Sequence, residues 1–227
     1  NWSNSMSGAT MTVTPTNTTT YTVTGSSGGC TGTATVSVTV NPLPTVILSA
    51  NPSSICYNEV TTLTASGANN YSWSHGLGTG SSVTVIPISN TTYTVTGTNS
   101  YNCSNSASVS VVVNPIPTVN VTASSTTLCQ GDQTIISATG ADNYSWSHGL
   151  GSDNPITVTP SSTTTYTVVG TNTFGCSATA SIAITVNPIA NATIIPVSPL
   201  CDNQGLITLT AQTSGGFWSG TGITNVV

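Results

Sequence analysis

The sequence predicts an all-β protein made of tandem two-layer sandwiches, and three observations predict it. Valine and isoleucine alternate with threonine in short runs, the composition and the period of strands buried on one face. Glycine, asparagine and proline interrupt these runs at intervals of about 8–12 residues, and helical periodicity appears nowhere. Landmarks return at a fixed step: Trp73 and Trp146 are 73 residues apart, as are Cys30, Cys103 and Cys176, and the pairs Asn41-Pro42, Asn114-Pro115 and Asn187-Pro188. Cys56 to Cys129 is again 73, and Cys129 to Cys201 is 72. A constant step of this size is the signature of an array of similar units.

With Asn-Pro as punctuation, residues 43–115 and 116–188 are two complete repeats. Residues 1–42 are the rear part of one repeat and 189–227 the front part of another. Within 43–115 the first strand is expected over 45–50, closed by Asn51-Pro52. The second covers 60–66, with Leu63 and Ala65 on one face, and the third covers 70–74 and carries Trp73. A strand over 82–86 turns Val83 and Val85 inward, and one over 92–98 does so with Tyr93 and Val95. The last, 107–113, places Val109, Val111 and Val113 inside. The next repeat reproduces these faces at Ile136 and Ala138, Ile156 and Val158, Tyr166 and Val168, and Ile182, Ile184 and Val186. The leading part offers Met11, Val13, Tyr21, Val23, Val36, Val38 and Val40, and the trailing part Ile207 and Leu209. A unit of about 73 residues buries only a modest core. One indole per unit, Trp73 or Trp146, together with Tyr93 or Tyr166, is its natural filler.

Composition restricts function. Only 2% of residues are charged, there is no Lys or Arg, and the net charge is −5. A chain without cations has no means of gripping phosphates, which argues against nucleic-acid binding and against a basic membrane patch. No apolar run approaches the roughly 18 residues of a membrane span, so no membrane insertion is expected. Hydroxyls and amides must keep the surface soluble.

The segments Cys129-Gln130-Gly131-Asp132-Gln133-Thr134, Tyr144-Ser145-Trp146-Ser147, Thr164-Thr165-Tyr166-Thr167-Val168 and Phe174-Gly175-Cys176 resemble the Ig-like repeats of large exported surface proteins of Bacteroidota, a group that includes adhesins and gliding-associated filaments. The resemblance recurs in each copy. It implies tandem Ig-like β-sandwich repeats in an elongated rod or filament, located on the cell surface or in a secreted fibre. The complete loss of Lys and Arg is a departure that the resemblance does not explain.

Repeat-locked cysteines point to disulfides and an oxidising compartment, with Cys30, Cys56, Cys103, Cys129, Cys176 and Cys201 as candidates. Counting pairs Cys56 with Cys103 and Cys129 with Cys176, one bridge per repeat. Cys56 precedes the second strand and Cys103 follows the penultimate one, however, at opposite poles of an Ig sandwich. A bridge spans a Cα separation of only about 4.4–6.8 Å. That geometry favours stapling one repeat to the next, for example Cys56 to Cys176, and both schemes stay open.

No cofactor, metal site or catalytic residue is expected. There is no Cys-x-x-Cys, and Glu59, Asp132, Asp142, Asp153 and Asp202 form neither an acid–base pair nor a calcium loop. His75 and His148 follow serines, but side chains of adjacent strand residues point to opposite faces, so Ser74 and His75 should not meet. They are expected to be exposed turn residues. Glycosylation motifs Asn-x-Ser/Thr occur at Asn1, Asn17, Asn70, Asn90, Asn102, Asn120, Asn143 and Asn191, and a glycan coat would protect a surface so poor in charge.

The linkers at 41–44 and 114–117 each hold two prolines, which keeps them extended and the repeats closely stacked. Neither end fragment can close a sandwich alone. Either the chain is a window on a longer protein, or the tail of one copy completes the head of the next by strand complementation, head to tail. The functional expectation is a non-catalytic structural segment of an extracellular bacterial fibre or adhesin stalk. The alternative is a carbohydrate- or protein-binding adhesin module acting through the loops 76–81 and 100–105.

Overall fold

A computed structural model describes residues 1–190, 193–199, 207, 209 and 210. The chain divides into two compact units, Asn1–Ile116 and Pro117–Val227. In the first, a hairpin of β1 (Thr19–Ser27) and β2 (Cys30–Val38) precedes seven strands: β3 (Ile47–Asn51), β4 (Ser54–Cys56), β5 (Thr61–Ser66), β6 (Asn70–Trp73), β7 (Ser82–Val85), β8 (Thr91–Thr98) and β9 (Ser104–Asn114). The second repeats the seven as β10 (Asn120–Ala123), β11 (Thr127–Cys129), β12 (Thr134–Thr139), β13 (Asn143–Trp146), β14 (Ile156–Val158), β15 (Thr164–Thr171) and β16 (Ser177–Asn187).

The seven strands form two sheets, β3-β5-β7 facing β4-β9-β8-β6, and the copy has β10-β12-β14 facing β11-β16-β15-β13. All pairings are antiparallel except the short β4 on β9 and β11 on β16. An A-B-E sheet on a C-F-G sheet, with an extra A′ strand along G, is an immunoglobulin-like sandwich. Period-two alternation puts one face of each strand between the sheets. Leu63, Val95 and Val111 are 0% exposed in the first core, and Ile136, Val168 and Ile184 are 0% exposed in the second. Trp73, Trp146, Tyr93 and Tyr166 are buried in these two clusters.

The structure departs from the sequence expectation in four places. The strands β4 and β11 were unforeseen: after Asn51-Pro52 ends the first strand, the chain crosses to the other sheet. It buries Ile55 there and sets Ser54 opposite Val112. Buried polar groups fix this crossing: the Thr61 hydroxyl donates to the Pro52 carbonyl, and the Asn114 amide donates to Ser54 Oγ at 2.8 Å. The third strand ends at Trp73 because Ser74–Gly76 form a 3-10 turn with His75 at φ 58°. The inward valines Val83, Val109 and Val113 lie at the margins of the core and are only partly buried. Val36 of β2, expected inside, is 53% exposed.

That last difference has a structural cause. The β1–β2 hairpin, turned by Gly28 and Gly29 at positive φ, corresponds to β8–β9, and Trp2 bridges to Val23 as Trp73 pairs with Val95. Trp2 Nε1–H donates to the Gly8 carbonyl at 3.1 Å, as Trp73 Nε1–H does to Gly80 at 2.6 Å. The hairpin thus copies one sheet of the sandwich. Tyr21 and Val23 are half-buried, whereas their counterparts Tyr93 and Val95 are buried.

Candidate functional site

The most elaborate local geometry lies at the Trp-Ser-His-Gly turn, present once in each complete repeat. His75, Gly76 and Gly78 all take positive φ, which reverses the chain so that Trp73 N–H reaches the Gly78 carbonyl at 3.2 Å. The reversal also overturns the expectation that Ser74 and His75 stay apart. They leave the strand at this point, the alternation of faces ends, and Ser74 Oγ lies 2.9 Å from His75 Nδ1. The same hydroxyl accepts the Thr94 N–H at 3.0 Å, and the imidazole packs edge-on to Tyr93 with ring centres 5.3 Å apart. The copy agrees to within a tenth of an ångström: Ser147 Oγ to His148 Nδ1 is 2.9 Å, Thr167 N–H to Ser147 Oγ is 3.0 Å, and His148 to Tyr166 is 5.3 Å.

A serine beside a histidine invites a nucleophilic reading, which needs a third group to orient the base. Among the described residues neither imidazole meets a carboxylate; the serine lone pairs hold a neighbouring strand, so the pair staples the turn onto β8. The acids act likewise on backbone groups, Glu59 and Asp132 within their own turns and Asp142 across to the turn after β15. Glu59 accepts the Cys56 N–H at 3.0 Å, Asp132 accepts the Cys129 N–H at 3.2 Å, and Asp142 accepts the Thr173 N–H at 2.8 Å. Among the described residues no three His, Cys, Asp or Glu side chains converge as metal ligands. An open groove of about 420 Å³ runs beside the first turn, lined by His75, Tyr93, Ile86 and Ile88 among others.

Cys56 and Cys176 are disulfide-bonded, while Cys30, Cys103 and Cys129 carry free thiols. The within-repeat pairs, Cys56 with Cys103 and Cys129 with Cys176, are therefore not formed. The two cysteines of a repeat lie at its two ends, Cys56 closing β4 and Cys103 just before β9, as the pole argument requires. Cys201 lies outside the described residues, as do Asn191, Trp218 and most of 189–227. The other glycosylation candidates, Asn17, Asn70, Asn90, Asn102, Asn120 and Asn143, are all exposed. Asn90 is also structural, its Oδ1 accepting the Val113 N–H at 2.8 Å. The loop 100–105 is organised by Asn99, whose Oδ1 accepts the N–H groups of Tyr101 and Cys103, both at 3.0 Å.

Sequence reasoning missed Tyr71 and Tyr144. Their hydroxyls close small loops: Tyr71 Oη accepts the Ala68 N–H at 3.0 Å and donates to the Ala68 carbonyl at 3.1 Å. The signal was there, because Tyr71 lies two residues before Trp73 and must share its face. Ile55 and Leu128 were missed with their short strands.

No protein-family model and no curated protein matches the chain. Among solved structures it is similar to murine CEACAM1b, at 13% identity and a TM-score of 0.33, over 63% of this chain and 100% of that one. It is similar to the N-terminal eight Ig domains of the Down Syndrome Cell Adhesion Molecule, isoform 1.30.30, at 15% identity and a TM-score of 0.43, over 75% of this chain and 28% of that one. It is also similar to a Ca2+-stabilized adhesin of an Antarctic bacterium, at 14% identity and a TM-score of 0.38, over 78% of this chain and 59% of that one. The immunoglobulin-like assignment rests on the strand order itself.

Proposed function

We propose that this chain is a non-catalytic structural segment of an extracellular bacterial fibre or surface-adhesin stalk, of the type its sequence resembles. One observation carries the reading. The two complete repeats copy each other in their cores and in the Trp-Ser-His-Gly turn, down to the Ser-His-Tyr stack. A binding module has reason to diversify its most elaborate turn, and a spacer has reason to keep it. Disulfides fit an oxidising compartment, and no helix among the described residues is long and apolar enough to cross a membrane.

Copies of the chain associate head to tail in this reading, the leading segment of one meeting the trailing segment of the next. Apolar side chains are exposed on both segments, Val36 on the leading one and Ile207 and Leu209 on the trailing one. In the tail the Ile195 N–H donates to the Thr210 carbonyl at 2.9 Å, a rung like those between β3 and β5. Glycans on the exposed Asn and Thr residues would shield the uncharged surface. Negative-stain images of the native material test the assembly: thin fibres of uniform width are expected, and dispersed short particles overturn it. An intact mass equal to the bare 22.8 kDa would exclude the glycans.

The groove beside His75 supports a second reading, a weak adhesin site, because Ile86 and Ile88 on its rim are exposed. The corresponding positions in the next repeat are Thr159 and Ser161, so the feature is not copied. Spacer remains the better description.

A further inference from the structure

Asn41-Pro42-Leu43-Pro44 joins the β1–β2 hairpin to the first sandwich, both within the unit Asn1–Ile116. It carries no secondary structure, yet it is fastened on both sides. On the hairpin side the Val40 N–H donates to Thr18 Oγ1 at 3.0 Å, beside the start of β1. On the sandwich side the Asn99 amide donates to the Pro42 carbonyl at 2.8 Å and the Asn105 amide to the Pro44 carbonyl at 3.1 Å. Pro44 is buried, a Cβ on Gly67 would collide with the Thr45 carbonyl, and Val46 packs against the core. The two prolines fix their own φ and hold Asn41 and Leu43 extended. That leaves Leu43, 63% exposed, between the two amide bonds.

The Asn99 side chain cannot be turned round without loss. Its Oδ1 accepts the N–H groups of Tyr101 and Cys103, both at 3.0 Å, and the amide nitrogen cannot take that place. The turn between β8 and β9 therefore aims the nitrogen at the linker. Asn105 is set in the same way: its Oδ1 accepts the Ser106 N–H at 2.9 Å, which leaves the nitrogen for Pro44.

We propose that Asn99 and Asn105 make the joint at 41–44 rigid, so that the hairpin and the sandwich after it move as one body. Carbonyls of an extended proline segment have no partner within it, and the clamp uses two of them. Every group involved is neutral: two amides, the carbonyls, a hydroxyl and two pyrrolidine rings. Screening by salt has nothing to act on, and no cation is needed to stiffen the joint. The inference goes beyond the stalk reading and concerns a single chain, so dispersed particles in the microscope would leave it standing.

Nitrogen-15 relaxation and residual dipolar couplings of the labelled 227-residue chain test it. The Leu43 amide should show an order parameter of about 0.85, as in rigid backbone. One alignment tensor should fit the strands of the hairpin and those of the sandwich. Molar sodium chloride or EDTA should change neither. In Asn99→Asp/Asn105→Asp each Oδ1 acceptor is kept, each donor is lost and a carboxylate faces a carbonyl. There the Leu43 value should fall below about 0.6, and the hairpin should need a tensor of its own, while the Val95 and Val111 amides keep their shifts. Should the double variant disturb the sandwich, Asn105→Asp alone carries the test, because its side chain lies outside the turn, and Leu43 must still loosen. A wild-type Leu43 already below about 0.6 would overturn the clamp. So would a folded variant as rigid as the wild type, which would leave the prolines alone as the cause. Loosening by salt or EDTA would overturn the neutral mechanism.

Discussion

Burial raises the phenols of Tyr93 and Tyr166 above the ordinary tyrosine value, and at Tyr93 a hydrogen bond with Thr91 works against the shift. Each ring lies between the sheets with a histidine packed on it, so a phenolate there would lose solvation that it keeps in the unfolded chain. The sign follows. A group whose folded pKa lies above its unfolded value contributes stability that is whole below the unfolded value, about 10 for tyrosine, and is lost as pH rises through the folded one. Urea midpoints followed from neutral pH upward should therefore hold until about pH 10 and then fall. In Tyr93→Phe/Tyr166→Phe chains that fall should be smaller. An equal fall in the variant would show that other groups govern the alkaline limit.

Among the elements, the close approach of β8 to the residues just before β3 and β6 depends on one glycine in each module. A Cβ on Gly97 would lie 2.7 Å from both Ala68 Cβ and Val46 Cγ2, and one on Gly170 would lie 2.5 Å from Val119 Cγ2. Gly97→Ala should destabilise its module by about 1–3 kcal/mol in urea unfolding, the usual cost of overpacking. Gly25 holds the same place in β1 and meets nothing within 4 Å. Gly25→Ala should leave the stability of the single chain unchanged or raise it by up to about 1 kcal/mol. If front strands of another copy cover that face, the same substitution should abolish fibre growth. Unimpaired growth of Gly25→Ala would place the contact elsewhere. Along the outer face, hydroxyl pairs such as Thr92 with Ser110 and Thr94 with Ser108, both at 2.8 Å, stand where other sandwiches carry ion pairs.

For the whole molecule, the absence of Lys and Arg has a direct consequence. Trypsin-type proteases find no site in the folded or the unfolded chain, and prolonged digestion in urea should leave the intact mass unchanged; fragments would show cleavage by another specificity. Because each sandwich holds a core of its own, the two units need no shared interior. An array of this kind gains length without needing a larger core. Modest modules repeated suit a spacer better than one large domain.

Much of this was legible in the residues. Leu63, Val95, Val111 and Trp73 announce their burial through a period of two, and the 73-residue step announces the copies. Both signals are local or periodic, and burial on one face of a pleated strand enforces them. The sequence also showed that two cysteines per repeat fall at opposite ends, but left their pairing open. Only tertiary structure decided that Cys103 and Cys129 are free, that β4 crosses to pair in parallel with β9, and that Ser74 meets His75. These depend on where the chain turns, and a turn is set by a few backbone angles, such as φ 58° at His75, that composition does not encode. They depend also on which distant strand lies alongside. Val36 reads as a core residue because its strand alternates, yet it is exposed, because among the described residues the β1–β2 hairpin is a two-stranded sheet outside both core clusters.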